Sequence, residues 1–320
     1  MNSTLIQMTV IMACGASWRL FSPAGLSAEH TRLVLTTVVY YILLPALVLD
    51  VLWTSTIGWQ SLQYTLIGMG AIAFALLCMG LLGKLLRFEG KRLGAVMLAA
   101  AFPNVTYLGL PVLEQVLGTW SRSVVIQMDL FAATPFLFTV GIMLARHLGE
   151  VDAADKPRSI WLFFNAPPFW AAALAIALNQ NAVTAPDWLA GVLQKLSVTV
   201  APLMIFSLGL ALNWRSIRWH SLPYVLPVVV IKMLVMPMVA LGLAISMSID
   251  NEHKVAAVLD LAMPSMVLGI VLCDRYRLDS GLYAMTVILT TALSLISLPL
   301  WHHFLSHFQW DYSSFSAFAF

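Results

Sequence analysis

The feature that most constrains this chain is the length of its apolar runs. Stretches such as 62–83, 123–145 and 222–247 are each long enough to cross the hydrocarbon core of a bilayer, which takes about 20 residues as a helix. Runs of this length argue for membrane spans over the short buried strands and helices of a soluble core. Composition points the same way. The 320 residues are 60% hydrophobic and 10% charged, with a mean hydropathy of +0.87. A soluble domain carries about 25% charged residues because water must wet its surface. The chain therefore reads as an all-α membrane protein, with the lipid bilayer as its main partner.

Ten spans are predicted: 4–21, 33–52, 62–83, 93–115, 123–145, 160–179, 188–212, 222–247, 254–273 and 279–301. The basic residues test that count. The links after spans one, three, five, seven and nine hold Arg19 and Arg32; Lys84, Arg87, Lys91 and Arg92; Arg146, Lys156 and Arg158; Arg215 and Arg218; Arg275 and Arg277. These are 13 of the 17 lysines and arginines. Cytoplasmic loops concentrate such residues, so both termini are expected on the non-cytoplasmic side. No basic segment precedes the first apolar run, which predicts that span one is retained and not cleaved as a signal. The tail 306–320, rich in Phe and Ser, is expected at the outer interface.

Several function classes drop out at this point. A net charge of +2, with no basic cluster interleaved with aromatics, gives no sign of nucleic acid. Cys14, Cys78 and Cys273 lie within or at the end of apolar spans without metal-site spacing, and the seven histidines fall in links, span ends or the tail. No metal and no cofactor is expected. The absence of His-Glu-x-x-His and Gly-x-Ser-x-Gly signatures argues against an intramembrane enzyme.

The longest cytoplasmic link divides the chain into a first five-span repeat (1–146), a linker (147–159) and a second repeat (160–305), followed by the tail (306–320). An odd number of spans per half inverts the second half relative to the first, the plan of many secondary transporters. Prolines mark corresponding positions: Pro45 in span two with Pro202 in span seven, and Pro103 in span four with Pro264 in span nine. Proline lacks a donor and clashes with the preceding turn, so spans four and nine are expected to break at mid-membrane and cross, with Gly109 and Pro111 extending the first break. A break in lipid survives only where protein or water satisfies the freed backbone, and a half-helix N-terminus there suits a carboxylate. Pro103, Asn104, Thr106, Gly109, Pro111, Pro264 and Ser265 are the candidate substrate-binding residues. For any one of these prolines, an ordinary helix kink is the competing interpretation.

Charges inside the membrane are expensive and mark candidate function. Lys232 lies roughly 15 Å into span eight. It reads as a counter-charge for an anion, as the partner of a proton-binding carboxylate, or as a structural lysine on the carbonyl freed by Pro237. Asp260, one turn before Pro264, and Asp129 in span five are the candidate proton carriers. Glu114, Asp50 and Asp274 read as interfacial, Lys195 as snorkelling, and Trp18, Trp53, Trp59, Trp120, Trp161, Trp188 and Trp301 as an interfacial belt.

The segment Ala100–Pro111, Ala-Ala-Phe-Pro-Asn-Val-Thr-Tyr-Leu-Gly-Leu-Pro, resembles the span-four signature of the auxin efflux carrier family. Ala201-Pro202-Leu203 with Ser207-Leu208-Gly209-Leu210, Ile231–Pro237, Ala262-Met263-Pro264, Cys273–Tyr276 and Leu298-Pro299 follow that family's order over nearly the whole chain. The resemblance implies an elevator-type carrier of small organic anions, similar to malonate and malate permeases. Spans one, two, six and seven would form a dimerising scaffold, and spans three to five and eight to ten a moving transport unit. It also implies a home in a bacterial inner membrane. A sodium-coupled symporter of bile-acid-carrier type shares the plan, but needs clustered side-chain oxygens that the crossing segments are poor in. A membrane receptor for an organic acid is the reading from another class.

Overall fold

The computed structural model describes residues 2–149, 166–211 and 219–307. Most of the linker, the start of span six, most of the link after span seven and the tail beyond His307 lie outside them. Besides two single 3-10 turns, Pro23–Gly25 and Trp219–Ser221, the described residues form twelve helical stretches: α1 (Asn2–Phe21), α2 (Ala28–Thr54), α3 (Trp59–Leu85), α4 (Gly90–Ala101), α5 (Val105–Leu117), α6 (Ser121–Leu148), α7 (Pro167–Gln180), α8 (Asp187–Ala211), α9 (Leu222–Ser246), α10 (Asn251–Leu261), α11 (Gly269–Arg275) and α12 (Ser280–His307). Among the described residues the β-structure is a single isolated bridge. Six helices, α2, α3, α6, α8, α9 and α12, are long and apolar enough to cross a membrane. The protein is thus an all-helical membrane protein.

The predicted breaks at Pro103 and Pro264 are present. The first spans only 102–104, between α4 and α5; the second is longer, 262–268, between α10 and α11. Gly109 and Pro111 do not extend the first break, contrary to expectation. Gly109 has helical angles (φ −59°, ψ −51°), and Pro111 sits in the next turn of a continuous α5. The reason is a π-helical stretch, Val105–Gly109, which ends two residues before Pro111. The same register recurs at Val39–Leu43 before Pro45, Asp129–Ala133 before Pro135 and Ile231–Val235 before Pro237. A widened turn gives the proline ring room that an α-turn denies it. These prolines are absorbed by the helix, whereas Pro103 and Pro264 end one.

The chain clusters into two compact units that interleave its halves. The first holds residues 2–58, 106–126 and 166–211; the second holds 59–105, 127–149 and 219–307. Spans one, two and seven and the described part of span six thus fall in the first unit. Spans three, eight, nine and ten fall in the second, and spans four and five are divided between the two.

In the first unit, α1 and α8 pack backbone to backbone. A Cβ on Gly15 would lie 2.2 Å from the Phe206 carbonyl oxygen, and one on Gly209 would lie 2.0 Å from that of Met12. Small residues permit this approach, which dispersion rewards where no hydrophobic effect drives helices together. Helix ends in the bilayer need partners for their last carbonyls, and other helices supply them. Arg19 Nη2 donates to Leu210 O at the end of α8 (2.8 Å) and pairs with Glu29. Asn179 Nδ2 lies within 3.2 Å of the Leu52, Trp53 and Ser55 carbonyls at the end of α2. In the second unit, Gln63 Nε2 caps α9 through Met247 O (2.8 Å). Trp301 is more than a belt residue: its indole donates to Met233 O (2.8 Å), the carbonyl that Pro237 leaves without an N–H.

Glu114 is not simply interfacial. Its side chain, 19% exposed, pairs with Arg122, 11% exposed, across the turn between α5 and α6, and Arg122 also reaches Ser197 Oγ on α8.

Candidate functional site

In the second unit the two breaks meet through their main chains. Pro103 and Ser265 form an antiparallel bridge, in which Asn104 N donates to Pro264 O (2.8 Å) and Met266 N to Phe102 O (3.0 Å). Breaking two helices frees donors and acceptors at one depth, and pairing them with each other removes most of the cost. Side chains complete the join. Ser265 Oγ donates to Ala99 O (2.7 Å), the carbonyl four residues before Pro103 that would otherwise be orphaned. Ser265 N donates to Thr290 Oγ1 (3.2 Å), and Tyr283 Oη donates to Met266 O (2.8 Å). Gly269 opens α11 where Tyr283 presses closest: a Cβ there would fall 2.0 Å from the phenol oxygen.

Ser265→Ala is expected to destabilise the protein by about 1–3 kcal/mol, because it leaves the Ala99 carbonyl buried and unpaired. A thermal midpoint in detergent close to that of the parent would show that another donor reaches that oxygen.

Of the sequence-predicted residues, Pro103, Asn104, Pro264 and Ser265 are brought together at this join. Asn104 is 1% exposed, its main chain is used in the bridge, and its Nδ2 has no partner. Lys232 is fully buried in the π-helical stretch of α9. It donates to Ala101 O, the last carbonyl of α4 (3.4 Å), and to Met236 Sδ (3.2 Å). The carbonyl it serves is therefore freed by the break at Pro103, not by Pro237, whose carbonyl belongs to Trp301. A cation at this place also meets the negative end of the α4 dipole. Asp260, fully buried in the last turn of α10, has no hydrogen-bond partner on either carboxyl oxygen. Lys232 and Asp129 both act on it electrostatically. Asp129 is half-buried and accepts from Thr134 Oγ1 (2.7 Å). Thr106, Gly109 and Pro111 belong to the first unit, within α5.

Sequence reasoning missed the hydroxyl face of α12. Thr286, Thr290, Thr291 and Ser294 are all at most 1% exposed. Thr286, Thr290 and Ser294 donate to carbonyls of their own helix, leaving lone pairs to accept, while Thr291 Oγ1 has no partner. The signal was present as hydroxyls at positions i, i+4, i+5 and i+8 in an otherwise apolar span. Among the described residues, no group of three or more His, Cys, Asp or Glu side chains is placed to hold a metal ion.

An uncharacterized transporter of Methanothermobacter thermautotrophicus is 34% identical over 215 residues, covering 67% of this chain and 68% of its own length. An uncharacterized transporter of Methanocaldococcus jannaschii is 26% identical over 289 residues, covering 86% and 90%. The pattern of one family, described as membrane transport protein, matches residues 2–302. The chain is a membrane transporter, and it belongs to this membrane transport protein family, that of the auxin efflux carriers.

Proposed function

We propose that the chain is a secondary transporter of small organic anions, mono- or dicarboxylates, whose substrate carboxylate is held at the join of the two breaks. The observation that carries this reading is Asn104: a buried amide donor without a partner, beside main chain engaged in the bridge. A buried donor left unpaired is costly, and a carboxylate is the acceptor that would satisfy it most strongly. Lys232 supplies a positive charge in the same unit. Asp260 is the better proton carrier, since its oxygens have no donor while Asp129 has Thr134.

The wider plan belongs to the same proposal. Ten spans in two inverted repeats would place both termini outside a bacterial inner membrane. Spans one, two, six and seven would act as a dimerising scaffold for elevator movement of the remainder. A sodium-coupled reading gains the α12 hydroxyls that the sequence left uncounted, with Thr290 already at Ser265 N. It is disfavoured by Lys232, whose ammonium would repel a second cation in the same dry interior.

The test is thermal stability of purified protein against a panel of ionised mono- and dicarboxylates, with Asn104→Ala alongside. Ligand at about 100 times its Kd stabilises the folded state by about 2.7 kcal/mol. A carboxylate that stabilises the parent is expected to bind Asn104→Ala at least tenfold more weakly, as befits a lost charge-assisted hydrogen bond. Equal binding by both proteins would move the site away from the join. Stabilisation by sodium chloride, but not by the potassium salt, would favour the sodium reading instead.

A further inference from the structure

We propose that Lys232 is a two-position switch: its ammonium caps the carbonyl end of α4 while Asp260 carries a proton, and turns to the Asp260 carboxylate when that proton leaves. The proposal rests on the carrier reading and supplies its coupling step.

Three observations converge on it. Lys232 is fully buried, yet its three donors find only a long contact to Ala101 O and a thioether sulfur, which is a weak acceptor. Asp260 is fully buried with neither oxygen partnered, although Lys232 is near enough to act on its charge. Two opposite charges held apart in a dry interior forgo the attraction that would offset their desolvation, whereas a protonated Asp260 leaves Lys232 free to serve the helix end. The lysine also sits on a widened stretch of α9, where the backbone departs from α-geometry, as is common at functional positions.

The charged groups around Asp260 are few. Asp129 on α6 also acts on it but is engaged by Thr134. From α3, Tyr64 stacks on His253 at the opposite end of α10, where His253 is paired with Asp250. Helix α12 carries no Asp, Glu, Lys or Arg, and its buried polar groups are the hydroxyls of Thr286, Thr290, Thr291, Ser294 and Tyr283. Lys232 is thus the cationic partner that bears on Asp260.

The switch reports to the join. Ala101 precedes Phe102, whose carbonyl is one side of the bridge, and Asp260 lies four residues before Pro264 on the other. With the proton on Asp260, the site carries the net positive charge of Lys232 and attracts an anion. With the proton gone, Lys232 and Asp260 neutralise each other and the attraction lapses. One proton leaves Asp260 for water, no bond other than its O–H is broken, and Lys232 remains an ammonium throughout.

Two arms test this in the full-length protein. The first uses no organic anion. Infrared difference spectra of proteoliposomes between about pH 8 and about pH 5, a range that brackets perturbed buried carboxyls, are expected to show a carboxylic-acid band. That band should be absent in Asp260→Asn and present at a displaced frequency in Asp260→Glu, which serves if the asparagine variant fails to fold. No band assignable to residue 260 would overturn the switch whatever the substrate.

The second arm measures binding of pyruvate and oxalate, both fully ionised from about pH 6 upward. Parent affinity is expected to fall about tenfold per pH unit, one proton being linked to each anion. Asp260→Asn should bind at all pH values as the parent does in acid, and Lys232→Met should bind at least tenfold more weakly in acid. Binding that ignores pH in the parent, or remains pH-dependent in Asp260→Asn, would overturn the switch and leave the carrier reading standing. Absence of binding with the band intact would count against the organic-anion reading and leave the proton site in place.

Discussion

Replacing Gly209 with alanine is expected to destabilise the protein by about 3 kcal/mol, the upper end for overpacking. The added methyl would fall 2.0 Å from Met12 O and 2.9 Å from the Met12 carbonyl carbon. Neither is a side chain that can swing away. The backbones of α1 and α8 must part, and the reciprocal contact of Gly15 with Phe206 O is lost with them. Gly242→Ala provides the matched control: it is also a helical glycine of a long apolar helix, but nothing lies within 4 Å of the new methyl. That change should be neutral, or stabilising by about 0.5–1 kcal/mol through helix propensity. Thermal or denaturant unfolding of both variants in detergent decides the matter. Similar midpoints for the two would mean that the α1–α8 contact is looser than these distances require.

Arg122→Ala is expected to cost about 3 kcal/mol or more, the range for breaking a buried ion pair from one side. Both partners are largely buried, and the arginine links α5 and α6 through Glu114 and reaches α8 through Ser197. Removing the guanidinium strands the Glu114 carboxylate and leaves Ser197 without that donor. The double variant Glu114→Gln with Arg122→Met should recover most of the loss, since it leaves no uncompensated charge. A cycle of the two single variants and the double, followed by unfolding midpoint, would separate the pairing from simple loss of packing. If the double variant is as unstable as Arg122→Ala, packing carries the effect and the ion pair is incidental.

The two helix breaks were legible because proline carries its consequence in its own covalent structure: Pro103 and Pro264 delete donors wherever they stand. What the chain does about a deletion is not legible locally. Pro45, Pro111, Pro135 and Pro237 look no different in sequence, yet each is preceded by a π-helical stretch that absorbs it. That outcome depends on how far neighbouring helices let a turn widen. Lys232 was legible as costly and important, but its partner Ala101 lies 131 residues away, and only packing decides which carbonyl it meets. Glu114 was read as interfacial with no link to Arg122, eight residues on, because the turn that brings them together has no charge pattern of its own. The α12 hydroxyls were overlooked because serine and threonine in membrane helices commonly bond back to their own turn. Here Thr290 does so and still accepts from Ser265.

The join of the two breaks is made chiefly by main-chain atoms: Asn104 N to Pro264 O and Met266 N to Phe102 O. Such a seam is nearly blind to the identity of the side chains it carries. Met266, Val267 and Leu268 follow it without donating a polar side-chain group, and the fold asks little of them beyond bulk. A lineage inheriting this architecture is therefore free to rewrite residues 266–268 while the seam stays shut. Divergence of transported compounds among relatives is then expected to track side chains at 266–268, with Ser265 and the proline positions left unchanged.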